Sequence, residues 1–346
     1  DAGTVKYRVV GLGLYAGSVT KSYKIAPLKA GEGELQLGGS LSGEHPYQSK
    51  GVVISDLTVT YTGNAAERQK LVAGRDYKVT YSANKKAGTG KFSVTFLGNF
   101  KGSKPMKNNT FKIVPAELDE DRVQVVVPDQ IYKKPAFYKS SPVVSLDGVA
   151  LKSSDYTLSY YYLDETGNKK PMDGKNKLTL GNGERSVTVY VKVVGKGNYS
   201  KESSVTGSFQ VRRLVGKKEV DLSKAKVTFY DENNVKNKVS YTGGLVEPAR
   251  IEVTCKVDGK NVELVEDQDY TVTYANNRNK GKATVILTGT GLRNENGIKF
   301  VGSKKAAFSI TAMKVTNKVS FDDAGQAGAA LMRFLMQWKG GEMQYD

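Results

Sequence analysis

A six-residue phrase, Asp-Tyr-x-Val/Leu-Thr/Ser-Tyr, occurs three times, at residues 76–81, 155–160 and 269–274. A chain that repeats itself builds one structural unit several times, so the period constrains the fold more than any single residue does. Each phrase is followed by a second strand-like run, a glycine-centred turn and a closing Phe-x-Ile/Val. In the first copy these are Phe92 to Phe96, then Gly98-Asn99-Phe100, then Phe111-Lys112-Ile113. The second copy has Val187 to Val193, Gly197-Asn198-Tyr199 and Phe209-Gln210-Val211. The third has Ala283 to Leu287, Gly289-Thr290-Gly291 and, after an insertion, Phe308-Ser309-Ile310. Residues 5–25 repeat only the second half of the pattern, closing on Tyr23-Lys24-Ile25.

From Ile25 to Ile113, Val211 and Ile310 the period is 88, then 98, then 99 residues. That is too long for a solenoid unit and matches one immunoglobulin-like sandwich, about 100 residues. Alternation of period two in 77–81, 187–193 and 270–274 reads as half-buried antiparallel strands. Turns such as Gly88-Thr89-Gly90, Gly181-Asn182-Gly183 and Asn276-Asn277 supply the positive φ that hairpins require. The expected fold class is all-β: tandem immunoglobulin-like β-sandwich domains in an elongated rod, with one short helical insertion near the C-terminus. Boundaries are expected after each closing strand. Residues 1–28 are then the C-terminal half of a preceding unit, 29–115, 116–214 and 215–314 are complete units, and 315–346 begin a further one. The insertion falls there: Ala327, Leu331, Phe334, Leu335 and Trp338 share one helical face, with Asp323 as a candidate N-cap.

Composition excludes several function classes. With one histidine (His45) and one cysteine (Cys255), zinc clusters and Ser-His-Asp or Cys-His arrangements are not expected. Cys255 lies in the alternating run 251–257 and reads as a small buried residue. An intramolecular disulfide needs two cysteines. No apolar run approaches the roughly 18 residues of a membrane span. Lys+Arg 52 against Asp+Glu 35 gives a formal net charge of +17. Dispersed lysines keep sheet edges from pairing, and the same field attracts anionic partners such as a cell-wall polymer. No aromatic-rich signature for specific nucleic-acid binding is present.

Asp76, Asp155 and Asp269 recur in register. An aspartate just before a strand commonly caps a turn, so they are expected to serve the fold rather than catalysis. The tyrosines at i and i+4 of each phrase are expected at a core rim. Candidate ligand contacts are Tyr160 and Tyr162, taken from the run Tyr160-Tyr161-Tyr162 as two residues sharing one exposed strand face, together with Phe334 and Trp338 of the predicted helix.

The wording Leu-x-x-Gly-x-Asp-Tyr-x-Val-x-Tyr, then Gly-x-Gly-Asn-Tyr and a closing Phe-x-Ile, resembles the bacterial Ig-like repeats of secreted or cell-surface proteins of Gram-positive bacteria. The first copy carries it through Leu71, Gly74, Asp76, Tyr77, Val79, Tyr81, Gly98, Asn99, Phe100 and Phe111. The second and third copies depart from it with Ser154 and Gln268 immediately before the aspartate. The resemblance implies an extracellular, non-catalytic segment acting as adhesin or stalk, with no cofactor and with a host or environmental glycan or protein as ligand. The alternative it implies is a glycan-binding accessory or spacer segment of a secreted polysaccharide-degrading enzyme. Open sheet edges in the incomplete units give self-association a route.

Overall fold

In a computed structural model the structure describes residues 1–31, 33–63 and 68–313, and among them the chain is all-β, with several separate sheets. The two helical segments described are single 3-10 turns, Gly98–Phe100 and Leu222–Lys224. The helix expected around Phe334 and Trp338 lies outside the described residues.

Each copy of the sequence phrase belongs to a pair of sheets. In the first, strands Leu35–Gly38, Thr58–Tyr61 and Gln69–Lys70 form one sheet. Glu44–Pro46, Met106–Val114, Gly88–Phe96 and Tyr77–Ser82 form the other, in that order. Both sheets contribute to a common core, Leu35 and Val59 from one and Tyr77, Phe92, Val94, Phe111 and Ile113 from the other. In the second, Val123–Val126, Val143–Leu146 and Val149–Ala150 face a five-stranded sheet ordered Gln130–Ile131, Ser204–Arg212, Ser186–Gly195, Tyr156–Leu163, Lys169–Pro171. In the third, Lys226–Tyr230, Arg250–Val257 and Lys260–Glu263 oppose Lys238–Ser240, Ser303–Thr311, Gly281–Gly289 and Tyr270–Ala275. Its core gathers Phe229, Tyr270, Val285, Phe300 and Phe308.

Alternation produces this burial directly. In Ser186–Gly195 the residues Val189, Val191 and Val193 are fully buried and their neighbours are not, because successive side chains of a strand point to opposite faces. The hairpin Gly3–Val10 with Ser18–Ile25 follows the same register but has no opposing sheet among the described residues, and Tyr7, Val9, Val19 and Tyr23 are exposed.

The recurrent aspartates cap turns, as their position before a strand predicts. Asp76 is fully buried, accepts the Val72 N–H at 2.9 Å, and pairs with Arg75 at 2.8 Å. The Arg75 guanidinium beside it holds its carboxyl below the usual range. Asp269 accepts the Val265 N–H at 3.0 Å and the Asn294 amide at 3.1 Å, and Asp155 accepts the Lys152 N–H at 3.3 Å. Two residues earlier the backbone is left-handed, occupied by Gly74 at φ 83° and by Asp267 at φ 64°; aspartate is among the few non-glycine residues that tolerate this region. Replacing Asp76 by alanine leaves the part-buried Val72 N–H without its charged partner. The expected loss is about 1–3 kcal/mol, read by denaturant unfolding of the first repeat.

Candidate functional site

The residues that recur with a shared task are those at the joints between repeats. After the strands Ser18–Ile25 and Met106–Val114, Pro27 and Pro115 introduce a short link. The Leu28 N–H donates to the Asn99 carbonyl at 2.7 Å, and the Ala116 N–H donates to the Asn198 carbonyl at 2.9 Å. Two residues on, the Ala30 N–H donates to Ser103 Oγ at 3.0 Å and the Leu118 N–H to Ser203 Oγ at 2.9 Å, with both serines buried. The side chains of the same asparagines then reach backward. Asn99 Oδ1 accepts the Ala2 N–H at 2.5 Å and Asn198 Oδ1 accepts the Ala87 N–H at 2.9 Å. Ala2 and Ala87 hold the same place, immediately before Gly3–Val10 and Gly88–Phe96. One asparagine therefore bonds both the link and the body of the preceding repeat, twice over.

At the second of these joints the rings of Tyr47 and Tyr199 meet edge-on, 5.6 Å apart, and Tyr47 packs into the cluster of Leu118, Val123, Val144 and Val205. Burial, and then the nearby Tyr47 hydroxyl, push the Tyr199 phenol up to about 12, and burial first does the same for Tyr270 and Tyr274 of the third repeat. A folded-state value above the ordinary 10 means that the stability these groups contribute is present below pH 10 and is lost as pH rises towards 12. The last part of the tyrosinate absorbance is expected to rise only together with loss of β-structure across that window. Complete titration of all the tyrosines with the fold retained would contradict this.

The joint between the second and third repeats is built differently. The third copy has Thr290 where the others have asparagine, and Thr290 Oγ1 bonds within its own repeat, to the Gln268 carbonyl at 2.7 Å. Here Val126 and Val143, from the smaller sheet of the second repeat, pack on Ala275 and Ile286 of the third. Three hydrogen bonds frame the contact: Asp129 N–H to Ser303 Oγ at 2.9 Å, Ala150 N–H to Asn276 Oδ1 at 3.0 Å, and Arg278 to the Asp147 carbonyl at 3.2 Å. Strand register makes Ile286 equivalent to Ser93 and Lys192 of the earlier copies, because Tyr270, Tyr77 and Tyr156 pair with Gly289, Phe96 and Gly195. An apolar side chain at this outward position breaks the alternation in Val285-Ile286-Leu287. That break was the available sequence signal for an interface.

The structure places Tyr160 and Tyr162 against the core cluster of Phe209, Val189 and Val191, and the Tyr160 hydroxyl donates to the Ser140 carbonyl at 2.8 Å. This corrects the expectation of an exposed pair. Tyr160 and Tyr162 pair in register with Val191 and Val189 and must share their inward face. Tyr161 is the outward residue. It stacks on Tyr190 with centroids 5.0 Å apart and planes 14° apart, and Lys169 Nζ lies 3.7 Å from its ring centre. Phe334 and Trp338 lie outside the described residues, so nothing brings them together with the tyrosines.

Cys255 is buried, and burial raises its thiol pKa, the opposite of what a nucleophile needs. His45 contacts the Ser40 carbonyl at 2.8 Å and the Phe111 ring edge-on, in a different repeat. No group of three or more His, Cys, Asp or Glu among the described residues could hold a metal ion. Asp164 and Glu184 share one depression, but both are committed to turns. Asp164, held down to about 2 chiefly by Thr166, accepts from Thr166 and Asn168, and Glu184 accepts the Gly181 N–H at 2.8 Å. No described helix is long and apolar enough to cross a membrane.

No protein-family model and no curated protein matches the chain. Solved structures that match include a protocadherin gammaB7 EC3-6 cis-dimer, 12% identical with a TM-score of 0.24, and protocadherin gamma B2 extracellular cadherin domains 3–6, 9% identical with a TM-score of 0.21. In both cases the match covers 90% of this chain and 84% of the other. At such TM-scores the superposition is too loose to carry an argument.

Proposed function

We propose that this chain is a non-catalytic, extracellular segment of tandem Ig-like sandwiches, similar to the bacterial Ig-like repeats of Gram-positive surface proteins. Its work is that of a stalk or adhesin shaft, holding a binding element at a set distance and angle from a cell surface. The observation that carries this reading is the twice-repeated asparagine joint. A chain that spends the same side chain, link and buried serine on two successive joints is built to fix one repeat relative to the next there. The carboxylates, cysteine and histidine described above have structural partners or are buried, which leaves binding and spacing as the activities the surface supports. Single-molecule extension tests it. Independent units of 88 to 99 residues are expected to unfold one at a time, each releasing roughly 300 Å of chain at about 3.3–3.6 Å per residue. One event releasing all the contour at once would overturn the reading.

A second reading, a glycan-binding accessory segment of a secreted enzyme, is favoured by one observation: Tyr161 and Tyr190 bring two aromatic rings to the outward face of one sheet, with Lys169 over the Tyr161 ring. Loss of glycan binding on Tyr161→Ala, with binding retained on Tyr160→Phe, would favour it over the shaft.

A further inference from the structure

We propose that the third repeat binds a linear acidic polysaccharide along a lysine-lined trough at the open seam between its two sheets. Strand Ser303–Thr311 pairs along Ser303–Ile310 with Gly281–Gly289 on one side. On the other side Lys238–Ser240 reaches only Ser309, Ile310 and Thr311. The edge from Lys304 to Phe308 is therefore free, and it faces Lys226–Tyr230, itself the edge strand of the opposing sheet. Two depressions meet there and share Lys226. One is lined by Lys224, Lys226 and Lys256; the other, of about 590 Å³, by Lys226, Lys282, Lys304 and Lys305.

In the second depression the lysine charge is uncompensated. None of these six lysines makes an ion pair among the described residues; Lys304 alone is anchored, donating to the Ser223 carbonyl at 3.0 Å. The second depression contains no carboxylate. The first, which Lys217 also lines, contains Glu219, Asp221 and Asp258, and these carboxylates offset most of its lysine charge, so the second carries the larger part of the attraction.

Lysines on an edge discourage strand pairing, and for Lys226, Lys304 and Lys305 that role is sufficient. It does not account for Lys282, on the inner strand Gly281–Gly289, or Lys256, on the central strand Arg250–Val257. Lys282 lies opposite Ser309 and Lys305 opposite Ile286, so both stand on the outward face of the sheet beside its free edge, four residues apart along the strand, which separates the two positions by about 13 Å. That spacing suits an extended chain with charges at intervals rather than one compact anion. One feature favours a carboxylated polysaccharide over nucleic acid. The aromatic rings beneath, Phe229 and Phe308, are buried, so bases have nothing to stack on. The inference does not depend on the shaft reading.

The test uses the full 346-residue chain with polygalacturonate, neutral dextran and single-stranded poly(dT) as probes, by calorimetry at low and moderate salt. Polygalacturonate is expected to bind and dextran not to. The combined change Lys226→Gln, Lys282→Gln and Lys305→Gln is expected to weaken binding at least tenfold and flatten its salt dependence. A control of equal charge, Lys78→Gln, Lys91→Gln and Lys133→Gln, is expected to change it less than twofold. If the trough variant melts lower than the parent, the single changes at Lys282 and Lys305 are compared instead, each expected to cost two- to threefold. Equal weakening by the control, equal affinity for poly(dT), or no binding of polygalacturonate by the parent chain would each overturn the proposal.

Discussion

Ile286→Lys is expected to part the second and third repeats while both remain folded. Lysine is what the second copy carries at the equivalent position, Lys192, so the sheet itself accommodates it there. In the third repeat Ile286 is 2% exposed, packed with Ala275, Val126 and Val143. Losing that side chain's burial costs about 1.5–3 kcal/mol, and an ammonium buried without a counter-charge costs several more. The contact holds only a few apolar residues and three framing hydrogen bonds, so this total exceeds what it can supply. Hydrogen exchange reads the outcome directly. The Ala150 and Asp129 amides, which bond across the joint, should lose protection, while strands Gly281–Gly289 and Ser303–Thr311 keep theirs. Retained protection at Ala150 and Asp129 would contradict the interface, and loss throughout the third repeat would show that the joint and the fold are inseparable.

Phe92→Ala is expected to destabilise the first repeat while leaving the third unchanged. Phe92 is 1% exposed, with its ring centroid 5.9 Å from that of Tyr81 and 6.3 Å from that of Phe111. Truncating such a residue costs about 3–5 kcal/mol, transfer and cavity together, against a stability of about 5–15 kcal/mol for a whole domain. Its core shares no buried residue with that of the third repeat. Calorimetry should therefore resolve an early transition, lowered by at least about 12 °C, with the third repeat's melting unchanged. A single transition shifted as a whole would mean that the repeats fold as one body.

The parts of this structure that sequence made legible are those decided within a repeat. Period-two alternation in 187–193 and the Asp-Tyr phrase predicted strands and turn caps, because burial and a neighbouring backbone N–H are local matters. The joints were not legible for a physical reason: Asn99 and Asn198 look like ordinary turn residues, and their side chains act on the preceding repeat. The face assigned to Tyr160 and Tyr162 failed on parity. The equivalent residue of the first copy, Tyr81, already packs on its core. Comparing the copies in register, rather than counting aromatics, selects Tyr161 as the outward residue.

The central claim is that the asparagine joint fixes one repeat against the next. It is tested most directly by the distance between spin labels on cysteines introduced at the exposed positions Lys78 and Lys201, one in each of the first two repeats. The native Cys255 is buried with a raised pKa, so it competes little for label. The account predicts one narrow distance distribution for the parent chain, broadened by Asn198→Ala without loss of β-structure. A broad distribution in the parent, or a narrow one that Asn198→Ala leaves unchanged, would contradict it.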